Sequence, residues 1–520
     1  MSKSFGRGAV ALAVISIISK LLGALYRVPL TNILGAEGMG LYQTVFPVFT
    51  VLLMICGGGM TGAVSRTVAK YYARGKNAEV KDIFFAASVP LFVFSVVAAT
   101  AVMLLRRIIS ELQGVPSASI AYLALTPSLI FCSIISVFRG VFQGRSMMMP
   151  SGISQLIEQT VKLSLGLLLG KLMLPRGVEY AVMGALLGVT VSEVVAFIYL
   201  LVRYIVYNKS RGDYHSEGED KTPRRELIKE IMRFSLPVTL GMLIIPMTQV
   251  FDSSVVVNML VRGGMERGRA TALFGVFVGP VGTLINMPVV LLSALSAALL
   301  PSLTAHIERG ERELIKSVGE TALTYTLIIA LPVAAAFMFF PKQICALLYG
   351  AGLSAEEIDI SSRLLSIEAV SVIYVGVISY TTAVMQSHGR ATKPAVNLLI
   401  GGAVKIALTF LLIPRLGIYG AAVASVSCYA VAALLGAVNV YRLKDSVSIS
   451  PGITVRPLVF TAFACAVFYA VSGLLGGGRL STLIAGAASV IVYLLIVPSM
   501  KIKGGAFLPS LLGKQKRLKK

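Results

Sequence analysis

The sequence predicts an all-α polytopic membrane protein with fourteen transmembrane helices, and three observations carry that prediction. Of its 520 residues, 56% are hydrophobic and only 14% charged, with a mean hydropathy of +0.83, values foreign to disordered, collagen-like or ordinary soluble chains. Fourteen apolar stretches reach the ~20 residues that a bilayer crossing needs. Lys and Arg concentrate in alternate intervals between those stretches, as cytoplasmic loops retain positive charge.

The first stretch, 9–31, follows Lys3 and Arg7 as a signal-peptide core would, but no small-residue cleavage site follows and the apolar run continues past Lys20. It reads as an uncleaved first span. The others fall at 41–65, 83–105, 119–141, 151–173, 180–204, 232–260, 271–300, 316–340, 364–386, 394–414, 417–440, 456–475 and 481–499. Most intervals are short; the two longest, about 205–231 and the tail from Lys501, are too small to be domains.

Net charge is +23, which in a soluble protein would suggest nucleic acid as partner. With a cytoplasmic N-terminus, the inside intervals hold 32 Lys and Arg and the outside ones 11, so topology accounts for the charge and no nucleic-acid partner is needed. Both termini then lie in the cytoplasm, and the cluster Lys514, Lys516, Arg517, Lys519 and Lys520 becomes a tail suited to anionic membrane lipids. The five cysteines show no metal or disulfide spacing and read as apolar packing. His215, His306 and His388 are scattered at loop positions and read as solvated. GxxxxGK[ST], HExxH and GxSxG are absent, so neither an enzyme nor a cofactor is indicated.

The chain repeats itself. A shift of 243 residues sets Ile135-Ser136 on Ile378-Ser379, Gln143 on Gln386 and Val161-Lys162 on Val404-Lys405; a weaker shift of 235 sets Arg74-Gly75 on Arg309-Gly310. The repeat is six spans long, and an even number inserts both copies in one orientation, as in transporters whose paired lobes rock about a central site. The expected organisation is an N-terminal six-helix lobe over 1–206, a cytoplasmic linker over 207–230, a pseudo-symmetric six-helix lobe over 231–442, two further helices over 443–500 and a basic tail over 501–520.

With the cations at span ends counted in the adjoining intervals, four remain in span interiors: Lys20, Arg27, Lys162 and Lys405. A charge at the bilayer centre costs about 2.5–3.5 kcal/mol or more and normally faces a bundle interior or a wet cavity. Lys20 and Arg27 are seven residues apart, hence within ~20° in azimuth on one helix, and the small residues Gly23 and Ala24 between them leave room for a ligand or a neighbouring helix. Snorkelling to the headgroups is the competing reading for both. Lys162 has Glu158 one turn before it, which offers a structural ion pair as readily as a cavity role. Lys405 has Gly401 at the equivalent place and needs another partner or an anionic ligand. Arg66 and Arg139 sit at cytoplasmic span ends, explained by positive-inside placement or as the rim of an inner mouth. Such a cationic cavity suits a phosphate-bearing substrate.

Among the intramembrane acids Glu158, Glu193, Asp252, Glu320 and Glu368, Asp252 is flanked by Gln249 and Asn258 and is the candidate for Na+ or H+ coupling, against a satisfied structural acid; Asn397 is the candidate second oxygen ligand. No transition-metal site is expected. Pro237, Pro246, Pro280 and Pro288 interrupt spans seven and eight, compatible with bending.

The stretches Ser19-Lys20-Leu21-Leu22-Gly23, Leu34-Gly35-Ala36-Glu37-Gly38-Met39-Gly40-Leu41-Tyr42 and Arg139-Gly140-Val141-Phe142-Gln143-Gly144 resemble the polysaccharide-biosynthesis proteins of the MOP exporter superfamily, in particular the stage V sporulation protein B group, which is similar to the MurJ lipid II flippases. The resemblance covers essentially the whole chain. It implies a V-shaped pair of lobes in a bacterial cell membrane, alternating access, and transfer of an undecaprenyl-pyrophosphate-linked saccharide from the inner to the outer leaflet, serving peptidoglycan or spore cortex synthesis. In the MurJ branch, cations of the first two spans bind the pyrophosphate in the central cavity; Lys20, Arg27 and Arg66 occupy similar places. The last two spans are similar to those forming a lipid-tail groove. Some relatives hold sodium between spans seven and eleven with carboxylates in both; here Asp252 has only Asn397 as counterpart. Two other readings stand beside the flippase: a MATE-like ion-coupled drug exporter, which should present a carboxylate rather than Lys20 and Arg27 in its first span, and a non-transporting scaffold that recruits cell-wall synthases.

Overall fold

The computed structural model describes residues 3–76, 79–211, 222–443, 451–476 and 478–497, and every regular element among them is helical. Contacts divide the chain into two compact units, Met1–Gly279 and Pro280–Lys520.

The first unit opens with α1 (Lys3–Leu53), a π-turn (Met54–Gly58) and α2 (Met60–Ala73). There follow α3 (Glu79–Leu112), α4 (Ser119–Leu125), α5 (Ser128–Gly144), α6 (Met148–Met173) and α7 (Val178–Arg211). It also holds α8 (Arg224–Met242), α9 (Ile244–Arg262) and α10 (Arg267–Val276). The last three fall in the expected second lobe, but by their contacts they belong here: a Cβ on Gly275 of α10 would strike the backbone of Ala36 and Gly40 on α1, and Thr239 Oγ1 of α8 accepts from the Gly59 N–H at 3.2 Å.

The second unit contains α11 (Gly282–Glu308), α12 (Arg312–Phe339), α13 (Pro341–Tyr349), α14 (Ala355–Glu368), α15 (Ser371–Ser387), α16 (Thr392–Leu416) and α17 (Ile418–Tyr441). It closes with α18 (Pro451–Leu474) and α19 (Arg479–Ile496). These last two dock on α12 and α13: Tyr493 Oη donates to the Ile328 carbonyl at 2.9 Å, and Arg479 reaches the Gly350 carbonyl at 3.1 Å.

Ten helical runs are long and apolar enough to cross a membrane, or twelve if two bent pairs, α4–α5 at 41° and α8–α9 at 44°, each count as one span. The expected fourteen differ from this in two places. Spans 9–31 and 41–65 belong to one continuous run, Ala11–Ala73, interrupted by Gly35 (φ 67°) and by the π-turn at Met54–Gly58. The expected fifth span lies in α6, whose polar face keeps it off the list of purely apolar spans.

The internal repeat is written into the helix boundaries. Shifted by 243, α5 lands on α15 end for end and α6 on α16 within a residue. The left-handed residue after α5, Ser146 (φ 63°), lands on Gly389 (φ 72°), and at the shift of 235 Gly75 (φ 78°) lands on Gly310 (φ 69°). Ser146 is thus an L-residue in a conformation its repeat gives to glycine, at a cost of about 1–2 kcal/mol. Ser146→Gly is expected to stabilise the protein by about 0.5–1 kcal/mol after glycine's own entropic cost, read as a raised unfolding midpoint in detergent; an unchanged or lowered midpoint contradicts this.

The densest crossings are glycine-made in both units. A Cβ on Gly188 of α7 would meet the Gly166 backbone of α6, and one on Gly420 of α17 would meet the Leu412–Ile413 backbone of α16. Gly140 and Gly144, one turn apart on α5, lie against Val64 and Val68 of α2. Small residues let helix backbones approach where apolar side chains gain nothing by leaving lipid. In the Arg139–Gly144 stretch, the two glycines therefore serve close packing rather than chemistry.

Candidate functional site

Within the first unit, the first limb of α1 lies along α6. Ile15 meets Gly152, Ser16 Oγ donates to Gln155 Oε1 at 2.8 Å, Gly23 abuts Gln159 and Tyr26 abuts Gly166. Residue numbers rise together, so the two helices run parallel. Each turns a polar stripe toward the other: Ser16, Lys20, Gly23 and Arg27 on α1, and Gln155, Glu158, Gln159 and Lys162 on α6, spaced at three and four residues.

Between the stripes is a cavity of about 390 Å³, lined from α1 by Ser16, Ser19, Lys20 and Gly23, from α5 by Arg139, and from α6 by Gln155, Glu158 and Gln159. Arg139 is anchored by two bonds, Nε to Ser154 Oγ at 2.9 Å and Nη2 to Glu158 Oε2 at 3.0 Å. The other carboxylate oxygen of Glu158 accepts from Gln159 Nε2 at 3.1 Å. Lys20 is exposed, lines the cavity and has no carboxylate partner among the described residues. The hydroxyl of Ser19, a residue 6% exposed, is buried without a hydrogen bond.

Deeper along the same stripe, Arg27 and Lys162 share one aromatic ring. Arg27 Cζ lies 5.9 Å from the centroid of Phe46, on the second limb of α1, and Lys162 Nζ lies 5.5 Å from Phe46 and from Tyr26. Cation–π contact in a desolvated place contributes about 2 kcal/mol each, which holds both cations without neutralising them. The anticipated Glu158–Lys162 ion pair is therefore not what forms: Glu158 reaches across to Arg139, and Lys162 takes the rings. Glu193 of α7, 7% exposed, hydrogen-bonds the Cys132 thiol and lies within electrostatic reach of Arg139, Glu158 and Lys162. Four cations thus face two carboxyls, an excess of positive charge in a poorly solvated place.

The remaining candidates lie elsewhere. Arg66 is exposed on α2, stacks on Phe234 of α8 at 4.9 Å and does not line this cavity. Lys405, half-buried on α16, belongs to the second unit and is engaged there. Asp252, 8% exposed on α9 of the first unit, is engaged, next to Ser253, which accepts at 3.2 Å from Gln113, itself bonded to Tyr122 at 2.7 Å. Asn397 of α16, in the second unit, pairs its amide with that of Asn439 at 3.1 Å. Among the described residues no group of three His, Cys, Asp or Glu could hold a metal ion. The basic tail lies outside the described residues. Ser16, Ser19, Gln155, Gln159 and Phe46 are site residues that the search for charged groups passed over; the signal was the polar spacing Gln155, Glu158, Gln159, Lys162 inside an apolar span.

The first helical run is broken at Gly35, the helical plan is duplicated and the α1–α6 cavity is cationic. The family model for polysaccharide biosynthesis proteins matches residues 5–307. The chain belongs to that family. Relatives of the family include the stage V sporulation protein B of Bacillus subtilis (strain 168), 27% identical over 502 residues and covering 95% of each chain. The lipid II flippase MurJ of the same organism is 25% identical over 463 residues, covering 85% of this chain and 83% of that protein. Among solved structures, a lipid II flippase MurJ in an inward closed conformation superposes with a TM-score of 0.72 over 96% of this chain and all of the other, at 14% identity. An inward-facing MATE multidrug transporter of the MOP superfamily gives 0.62 over 82% of this chain and 96% of the other, at 18% identity. At such identities the structures establish the fold alone: this is a multi-pass membrane protein of MurJ-like architecture. Of these similar proteins, one is named as a sporulation protein, two as lipid II flippases and one as a multidrug transporter, and none as an enzyme.

Proposed function

We propose that the protein is a flippase that carries an undecaprenyl-pyrophosphate-linked saccharide, lipid II or a related cell-wall precursor, from the inner to the outer leaflet by alternating access. The observation that carries this reading is the α1–α6 cavity, lined by Lys20, which has no carboxylate partner among the described residues, and by Arg139, with Arg27 and Lys162 further along the same pair of helices. A pyrophosphate presents several anionic oxygens to such donors, and charge-assisted hydrogen bonds to it gain strength where water is scarce. Relatives named as a lipid II flippase and a sporulation protein support the same substrate class. In this reading both termini are cytoplasmic and the basic tail meets anionic lipid.

The sign of the cavity argues against the MATE-like alternative, because a cationic drug would meet like charges. Protein in liposomes is expected to move a fluorescent pyrophosphate-linked prenyl saccharide and to leave cationic dyes and the dephosphorylated lipid in place. Dye transport with a stationary anionic lipid overturns the proposal.

Coupling is assigned to Asp252, a carboxylate buried within α9, with Na+ or H+ as the driving ion. Asp252→Asn, nearly isosteric and neutral, is expected to leave lipid movement down its own gradient intact and to remove its acceleration by an ion gradient. Unchanged acceleration in the variant excludes Asp252 from coupling.

A further inference from the structure

We infer that Glu158 is a built-in stand-in for the substrate's anionic group: its carboxylate holds Arg139 within the cavity, and a pyrophosphate entering beside Lys20 displaces it. The inference rests on the proposed anionic substrate and adds a residue and a role to it.

Three observations carry it. The Arg139–Glu158 pair is inside the cavity, not beneath it, since both residues line the same space as Lys20; their side chains are 17% and 19% exposed. Arg139 is fixed from behind by Ser154, which is fully buried and bonds Nε at 2.9 Å. Its Nη2, bonded to Glu158, is therefore the end that can exchange partners without the guanidinium moving. Glu158, for its part, has somewhere to go. Its second oxygen is already on Gln159 Nε2, and Lys162 stands one turn further along α6, the favoured order for an acid and a base at this spacing.

The repeat adds a fourth. Lys162 has its duplicate in Lys405, whereas Arg139 corresponds to Thr382 and Glu158 to Gly401. The acid–arginine pair occurs in one half only, so it is not a structural cross-link that the fold requires of its duplicated helices.

Such a stand-in solves a problem that a purely cationic cavity would create. Four unopposed cations would bind a pyrophosphate tightly and release it slowly, and only interactions that differ between states help turnover. A carboxylate that returns to Arg139 as the anion leaves lowers the affinity and speeds release.

The test is binding of inorganic pyrophosphate to the full-length protein in detergent, together with translocation of the pyrophosphate-linked lipid. Glu158→Gln is expected to bind pyrophosphate about tenfold more tightly and to translocate several-fold more slowly at saturating substrate. Glu158→Asp keeps the charge count of the cavity, and hence the fold, but withdraws the carboxylate from Arg139 by one methylene; about threefold tighter binding is expected. Without ligand, Glu158→Gln is expected to unfold at a lower temperature than wild type, with pyrophosphate raising its midpoint by more than it raises the wild type's. If wild type binds pyrophosphate and neither variant binds it more tightly, the stand-in role is overturned and the cationic site survives. If wild type binds none, the anionic-substrate reading itself fails, and this inference with it.

Discussion

Replacing Lys20 and Arg27 together by alanine is expected to reduce lipid translocation at least a hundredfold while leaving the protein folded and inserted. Each charge-assisted hydrogen bond to a phosphate contributes about 1.5–3 kcal/mol, so two lost contacts cost ~3 kcal/mol even at the low end, or about two powers of ten. The fold is spared because neither cation has a carboxylate partner among the described residues: Lys20 lines the cavity and Arg27 lies over Phe46. Truncating them orphans no buried acid, the usual cause of large losses when a buried ion pair is broken. Initial rates in liposomes, normalised to inserted protein, check this. Near-wild-type rates would favour the scaffold alternative, in which the protein recruits cell-wall synthases and moves nothing.

The second large effect is structural. Gly188→Leu is expected to destabilise the protein by about 3 kcal/mol and to abolish transport as well, because the new side chain must occupy the space of the Gly166 backbone. Overpacking commonly costs 1–3 kcal/mol, and here the obstacle is main chain, which cannot rotate away. The crossing also sets the spacing of α6, with Glu158 and Lys162, from α7, with Glu193, so pushing the helices apart widens the cavity wall. Gly420→Leu makes the same collision between α17 and α16 in the second unit and is expected to cost about as much stability. Thermal unfolding in detergent measures both; a shift of less than a degree for Gly188→Leu contradicts the packing account.

The fold class was legible because a bilayer imposes a coarse requirement, a run of about twenty apolar residues, that composition alone reveals. The repeat was legible for a related reason: Val161-Lys162 and Val404-Lys405 place a costly charge at the same depth twice, and such charges stand out against an apolar background. Pairing was less legible. Glu158 has Lys162 one turn away in sequence, yet its partner is Arg139, nineteen positions earlier, because the α5–α6 register, decided by packing, brings the guanidinium closer than Lys162, which the Tyr26 and Phe46 rings draw off. Arg66, read from sequence as a span-end cation and set beside Lys20 and Arg27 by the family resemblance, stacks on Phe234 of α8 and does not line the α1–α6 cavity. The span count suffered from the opposite problem. Gly35 breaks the backbone without breaking the helical run, and α6 carries a polar face that keeps it out of the runs apolar enough to cross a membrane. That polar face is where the site is.

The central claim is that the substrate's pyrophosphate occupies the α1–α6 cavity, and photolabelling tests it most directly. A prenyl-pyrophosphate analogue bearing a photoreactive group beside the phosphates, irradiated with the full-length protein in liposomes and mapped by mass spectrometry, is expected to mark peptides containing Ser16–Gly23 of α1 and Gln155–Lys162 of α6, with labelling suppressed by excess unmodified lipid. Labelling confined to other helices, such as α18 and α19, with α1 and α6 unmarked, would contradict it.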